Sequence, residues 1–224
     1  MSVTVNVLYT PGTNCHHETA RAFEQAGGRP RLVFLSDVRE GRAQLDSADI
    51  LCIPGGFSFG DHLGAGRVGA LCLTHELEAA FGRALTRPVL GICNGFQMLA
   101  ECGVFGEVAL LPNASGGFVD QPLQQQEVVT RVQNDSFWLS GLFGRMLTFP
   151  CAHAEGRFTP GRQRRWTPAL TYPADANPDG SADGICGVTT EDGLVLGVMN
   201  HPERTRSDAP SREIFRNAIE YVGG

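Results

Sequence analysis

The chain contains no lysine; all 18 of its basic residues are arginine. That skew is a composition bias, because the two cations substitute for one another over most of a solvated surface and differ mainly at specific sites. No G-x-x-x-x-G-K-[ST] loop or other ATP-binding signature occurs, so chemistry driven by a nucleotide has to come from another chain. No apolar run approaches the roughly 20 residues of a membrane-spanning helix. Residues 1–9 lack a basic leader and read as a first strand rather than a signal peptide, which predicts a cytoplasmic protein. A continuous basic face is also missing: net charge is −6 and the one cluster, Arg162, Arg164 and Arg165, reads as a solvated loop. Nucleic-acid binding is thereby excluded. The seven cysteines (Cys15, Cys52, Cys72, Cys93, Cys102, Cys151, Cys186) include no C-x-x-C pair, which argues against both a disulfide framework and a zinc site. No metal site is expected, and most of these thiols should be reduced and buried.

What remains is an ordinary globular composition, 42% hydrophobic and 19% charged over 224 residues, with no linker-like stretch. One domain over 1–224 is expected. Residues 3–8, 31–35, 48–53 and 88–92 read as strands, alternating with helices over 14–26, with Asn14 as N-cap, and 68–81. That alternation predicts an α/β fold, a mostly parallel sheet flanked by helices. From about residue 108 the pattern turns β-rich: strands over 108–111, 127–132, 147–150, 185–189 and 194–199, then a helix over 211–221. Four prolines and poor periodicity make 160–180 read as a long surface loop.

Two motifs carry chemistry. Pro88-Val89-Leu90-Gly91-Ile92-Cys93-Asn94-Gly95 places a cysteine between an apolar strand and a helix, in a G-x-C-x-G core. This is the thiol counterpart of the G-x-S-x-G nucleophile elbow. The turn exposes the sulfur at the strand's end and aims a helix N-terminus at it, where the Asn94 N–H is a natural oxyanion donor. Taken alone, Cys93 reads equally well as a small buried residue before a glycine turn. Beyond a later apolar strand comes His201-Pro202-Glu203. Pro202 biases His201 towards an extended conformation, in which residues i and i+2 share a side, so the Glu203 carboxylate can orient the imidazole. His153 and Glu155 repeat the H-x-E spacing, and the sequence leaves His153 as a second candidate base.

Six segments together resemble one family almost end to end: Pro11-Gly12-Thr13-Asn14-Cys15, Pro54 to Asp61 (PGGFSFGD), Gly91 to Gln97 (GICNGFQ), Ala152 to Gly156 (AHAEG), Asn177 to Ser181 (NPDGS) and His201 to Arg204 (HPER). They resemble the free-standing glutaminase subunit of phosphoribosylformylglycinamidine synthase, in the class I (triad) glutamine amidotransferases. The resemblance implies a flavodoxin-like fold with Cys93 as nucleophile, His201 as general acid/base and Glu203 as its partner. It also implies that the Gly55-Gly56-Phe57 loop lies over glutamine and supplies a second oxyanion N–H. Gln97 would help hold substrate, and His153 and Glu155 would serve on the substrate or ammonia side. No cofactor is implied in this chain. ATP and Mg would sit on a partner synthase that converts formylglycinamide ribonucleotide to formylglycinamidine ribonucleotide, with a third small subunit often present. Departures at Phe59, Gly64, Ala154, Asn200 and His16 fall on loops near the site. They keep a paralogue serving a specialised pathway as an alternative, beside a γ-glutamyl hydrolase-like enzyme or peptidase and a non-catalytic binding subunit.

Overall fold

The computed structural model describes residues 2–121 and 128–224. The first strand, β1 (Thr4–Tyr9), is followed by helix α1 (His16–Gln25), β2 (Arg29–Phe34), the short α2 (Leu35–Arg39) and β3 (Ile50–Ile53). Then come α3 (Arg67–Leu71), α4 (Glu78–Ala84), β4 (Val89–Ile92) and α5 (Asn94–Glu101). The second half holds β5 (Gly106–Leu111), β6 (Val119–Gln121), β7 (Val128–Val132), β8 (Met146–Phe149), β9 (Cys151–His153) and β10 (Arg157–Arg164). It closes with β11 (Trp166–Thr171), β12 (Ile185–Thr190), β13 (Val195–Val198) and α6 (Glu213–Gly223).

Nine strands form one sheet in the order β2-β1-β3-β4-β13-β12-β11-β7-β8. The pairs from β2 to β13 are parallel, and those from β13 to β8 are antiparallel. This is the α/β arrangement expected, with the β-rich second half extending the parallel sheet as an antiparallel wing. Strands β3, β4 and β13 are buried at every position, as parallel strands covered on both faces must be. Helices α1 and α6 meet through Phe23 and Phe215 edge to face, and α5 packs Phe96 against Phe105 in the same way.

Three local expectations are corrected. The 160–180 stretch is not one loop, since it contains most of β10 and all of β11, with Trp166, Ala169 and Leu170 buried. The two prolines within its strands, Pro160 and Pro168, are accommodated where pairing is irregular. The β10–β5 register shifts just after Pro160, and the β11–β12 register shifts just after Pro168. The predicted helix over 68–81 is broken into α3, one π turn (Cys72–Glu76) and α4. Asn14 does not cap α1. Cys15 occupies that position, without a side-chain cap bond, and the Asn14 Oδ1 instead accepts from the Cys15 thiol at 3.1 Å. Glu127, the first residue of another predicted strand, lies outside the described residues.

Candidate active site

Parallel pairing sets the site. In the register of β13 on β4, Val198 stands beside Ile92, so Cys93 and the segment running to His201 leave the same edge of the sheet. Ile53 pairs with Gly91 and Val7 with Cys52, so the loops after β3 and β1 emerge there too. In open α/β sheets this carboxyl edge is where ligands bind.

Cys93 sits at φ 49°, ψ −106°, between β4 and α5. A non-glycine residue there stores strain of about 1–2 kcal/mol. The flanking glycines explain how the turn closes. A Cβ on Gly95 would run into the Ile53 carbonyl, and one on Gly91 would stand 2.9 Å from the Gly95 carbonyl group. Strand, turn and helix therefore touch backbone to backbone. The Cys93 thiol is nearly buried and donates to Ala152 O over 3.6 Å. Asn94 opens α5, and its side chain ties the elbow to the glycine loop. Its Nδ2 donates to Asp61 Oδ1 (3.1 Å) and Gln97 Oε1 (3.0 Å), and its Oδ1 accepts from Ser58 N–H (3.1 Å).

His201 and Glu203 are both buried and joined by a 2.7 Å hydrogen bond between Nδ1 and Oε1. Glu203 reaches the ring from a one-turn 3-10 helix, Pro202–Arg204, rather than from the extended segment expected. With Nδ1–H donated to the carboxylate, Nε2 is the ring nitrogen left without a hydrogen-bond partner among the described residues. Burial alone would lower the His201 pKa. The Glu203 carboxylate and the Cys93 and Cys15 thiols outweigh it and raise the pKa well above its ordinary value.

His153, the other candidate base, is held differently. Its Nε2 faces the Cys151 sulfur at 3.1 Å, its Nδ1 faces Asn113 Oδ1 at 3.2 Å, and Gly156 lies against the ring, leaving no space for a Cβ. Burial, with His201 adding a smaller effect, pushes its pKa down to about 4. It is therefore uncharged at neutral pH, and its 3.6 Å approach to Asp179 is not an ion pair. A measurable consequence follows for stability. As pH falls from 6.5 to about 4, the unfolded chain binds a proton at His153 that the native chain refuses. Stability drops by up to about 3 kcal/mol over that window. Thermal melts of wild type and His153→Gln across pH 4–7 should show a steeper acid-side loss in wild type; parallel curves would refute this.

The remaining expected site residues are also at the edge. Gln97 donates Nε2 to Glu155 O (2.7 Å) and accepts from Asn94, pinning α5 to residues 153–155. The Glu155 carboxylate accepts from Ala65 N–H at 3.3 Å. In the glycine loop, Phe57 N–H already donates to Gly12 O (3.0 Å), and Gly56 lines the cavity beside Cys93. Two cavities meet at Cys93, sharing Gly56, Phe57 and Ala152. One, of about 40 Å³, runs past Asp61, Gln97, His153 and Glu155. The other, a cleft of about 210 Å³, is walled by Asn14, Cys15, Phe118, His201 and Arg204. Burial, with a contribution from Glu155, holds the Asp61 pKa above its ordinary value. Sequence reasoning assigned no role to Cys15 or Arg204, although both stood in motifs it quoted. Arg204 Nη2 donates to Cys15 Sγ at 3.0 Å, a contact between segments far apart in the chain.

Comparisons with known proteins agree with this geometry. The model of the CobB/CobQ-like glutamine amidotransferase domain matches residues 2–222. The PurQ subunit of phosphoribosylformylglycinamidine synthase from Methanothermobacter thermautotrophicus is 36% identical, over 98% of this chain and 99% of its own. That from Pyrobaculum aerophilum is 39% identical, over 93% and 91%. Among solved structures, a chain of PurLQS from Thermotoga maritima superposes with a TM-score of 0.83 at 32% identity, covering 99% of this chain and 100% of the other. An elbow thiol beside a buried His–Glu pair, on a sheet matched from end to end, leaves one assignment: this chain belongs to the glutamine amidotransferase family, with the PurQ subunits of phosphoribosylformylglycinamidine synthase as its relatives.

Proposed function

We propose that residues 1–224 form one glutaminase unit that hydrolyses glutamine to glutamate and passes the ammonia to a partner synthase. The observation that carries this reading is the strained Cys93 elbow at the sheet edge shared with His201, whose other nitrogen is held by Glu203. Glutamine enters with its side-chain amide at Cys93 and its amino-acid end in the smaller cavity. The Asp61 and Glu155 carboxylates there suit an α-ammonium group.

Cys93 Sγ attacks the amide carbon as its proton passes to His201 Nε2. The oxyanion forms against the N–H groups of Asn94, at the start of α5, and Gly56. His201 returns the proton to the leaving nitrogen, and ammonia departs. A water molecule, deprotonated by the same Nε2, then cleaves the γ-glutamyl thioester to release glutamate and restore the thiol. Glu203 keeps the proton on Nδ1 throughout and stabilises the imidazolium formed in each half-reaction.

Ammonia is useful only if it reaches an acceptor before it is protonated, so the amidation site belongs to a bound partner. The names of the relatives make that partner the synthase subunit of phosphoribosylformylglycinamidine synthase, and the PurLQS assembly supports a third small subunit. ATP and Mg then act on the synthase, converting formylglycinamide ribonucleotide to formylglycinamidine ribonucleotide, in the cytoplasm. No helix among the described residues is long and apolar enough to cross a membrane.

The test is reconstitution. The chain mixed with its synthase should co-elute on a sizing column, and amide-15N-glutamine should label the amidine nitrogen of the ribonucleotide product. Glutamine hydrolysis without complex formation would point instead to a stand-alone cysteine hydrolase. Labelling of a different acceptor would point to a specialised paralogue.

A further inference from the structure

Arg212 sits where a cation is least welcome. It ends a second one-turn 3-10 helix, Pro210–Arg212, and occupies the N-cap position of α6, at the positive end of that helix's dipole. The residue is only 9% exposed, and its Nε and Nη1 are buried with no hydrogen-bond partner among the described residues. Its Cζ lies 5.8 Å from the centroid of the Phe215 ring, at the limit of cation–π attraction. The adjacent acid, Glu213, pairs with Arg216 instead. A buried cation with so little local support needs an opposite charge from another element.

Glu203 supplies one. Two hydroxyls tie its turn to that of Arg212: Ser211 Oγ donates to Thr205 Oγ1 (3.1 Å), which donates to Pro202 O (2.7 Å). Glu203 Oε1 holds the His201 ring, while Oε2 is buried with no partner among the described residues. Burial lowers the Arg212 pKa, the Glu203 carboxylate opposes that, and Arg216 adds to the lowering. Glu203 also acts on Arg204, but that guanidinium donates to Cys15 Sγ and is shared with Glu18 of α1. The other titratable groups facing the His201–Glu203 pair are thiols and one imidazole. They are Cys15, Cys93, Cys52 of β3, whose pKa burial and then Glu203 push well up, and His153, which is neutral.

We propose that Arg212 is a positioning residue of the triad, the buried counter-charge that keeps Glu203 a carboxylate and leaves the proton they share on His201 Nδ1. Its part in catalysis rests on the glutaminase reading; the charge pairing does not. With an imidazolium the His201–Glu203 pair is neutral overall, and with a neutral ring it is an anion. Arg212 favours the anion, so it lets His201 release its Nε2 proton at lower pH and serve as a base. Without the guanidinium the pair keeps that proton to higher pH, and burial draws the shared proton towards Glu203.

Arg212→Met and Arg212→Gln remove the charge, and Arg212→Lys keeps it. In 15N NMR titrations of the free chain, the His201 ring should hold its proton to a pH about one unit higher in the neutral variants, and within about 0.3 unit of wild type in Arg212→Lys. In the synthase complex the acid limb of kcat/KM for glutamine should move up with it, about a tenfold loss on that side of the profile. A merely structural arginine would lower turnover evenly at every pH; that result, or an unshifted ring titration in the neutral variants, would overturn the proposal. Should the neutral variants fail to fold, Arg212→Met combined with Glu203→Gln decides, because removing the uncompensated carboxylate should restore a cooperative melt. A double variant as unstable as Arg212→Met alone would overturn the proposal as well. A complex that never hydrolyses glutamine defeats the functional reading instead, with the ring titration still reporting on the pair.

Discussion

Cys93→Ala should abolish glutamine-dependent amidation in the synthase complex, by about 10⁴-fold or more, while amidation from added ammonia stays within about twofold of wild type. The loss is large because no other group can form the thioester. Cys15, a second sulfur lining the same cleft, is followed by helix α1 rather than lying at an elbow, so the Asn94 amide is not aimed at an oxyanion formed on it. The fold should survive the change. Alanine tolerates φ 49° no worse than cysteine does, and the side chain removed makes only the weak bond to Ala152 O. Steady-state assays with each nitrogen source provide the comparison. Glutamine-dependent turnover surviving in Cys93→Ala would sink the assignment.

Glu203→Gln should be almost as severe, about 10²–10⁴-fold in glutamine hydrolysis, with little change in complex assembly. The amide is nearly isosteric with the carboxylate but carries no charge, and it can present an N–H to Nδ1 and so move the ring proton onto Nε2. The base would then be lost. In wild type, burial lowers the His201 pKa, and the Glu203 carboxylate together with the Cys93 and Cys15 thiols more than restores it. Without the carboxylate, burial prevails and the pKa falls. A group whose folded pKa is raised adds stability that is complete below its unfolded pKa of 6.5 and disappears as pH climbs through the folded value. The stability deficit of Glu203→Gln should therefore be widest below pH 6.5 and narrow on the alkaline side. NMR titration of the His201 ring gives the pKa directly. A variant whose His201 titrates as in wild type would show that Glu203 is not what sustains the charge.

The sequence was informative where chemistry is local. Gly91 and Gly95 mark the elbow because only glycine allows β4, α5 and the end of β3 to touch through their backbones. Pro202 delimits the short turn that lets a carboxylate two residues on reach its histidine. Strands β10 and β11 were illegible for an equally local reason. Prolines argue against strands, and the register shifts that house Pro160 and Pro168 depend on partner strands elsewhere in the chain.

The H-x-E repeat left two candidate bases, and only tertiary structure separated them. His153 is packed under Gly156 and stays neutral, whereas His201 stands with Cys93 at the edge made by β4 and β13. Only the packing of the 11–15 loop on the glycine loop engages the Phe57 amide with Gly12 O. The same packing sets Cys15 and Arg204 beside the triad. Sequence by itself determined the elbow with its cysteine and a histidine with an acid two residues on, because those depend on turns and on residue spacings of a few positions. The choice of base and the second thiol beside it belonged to tertiary structure, because parallel strand pairing joins segments across crossovers of no fixed length.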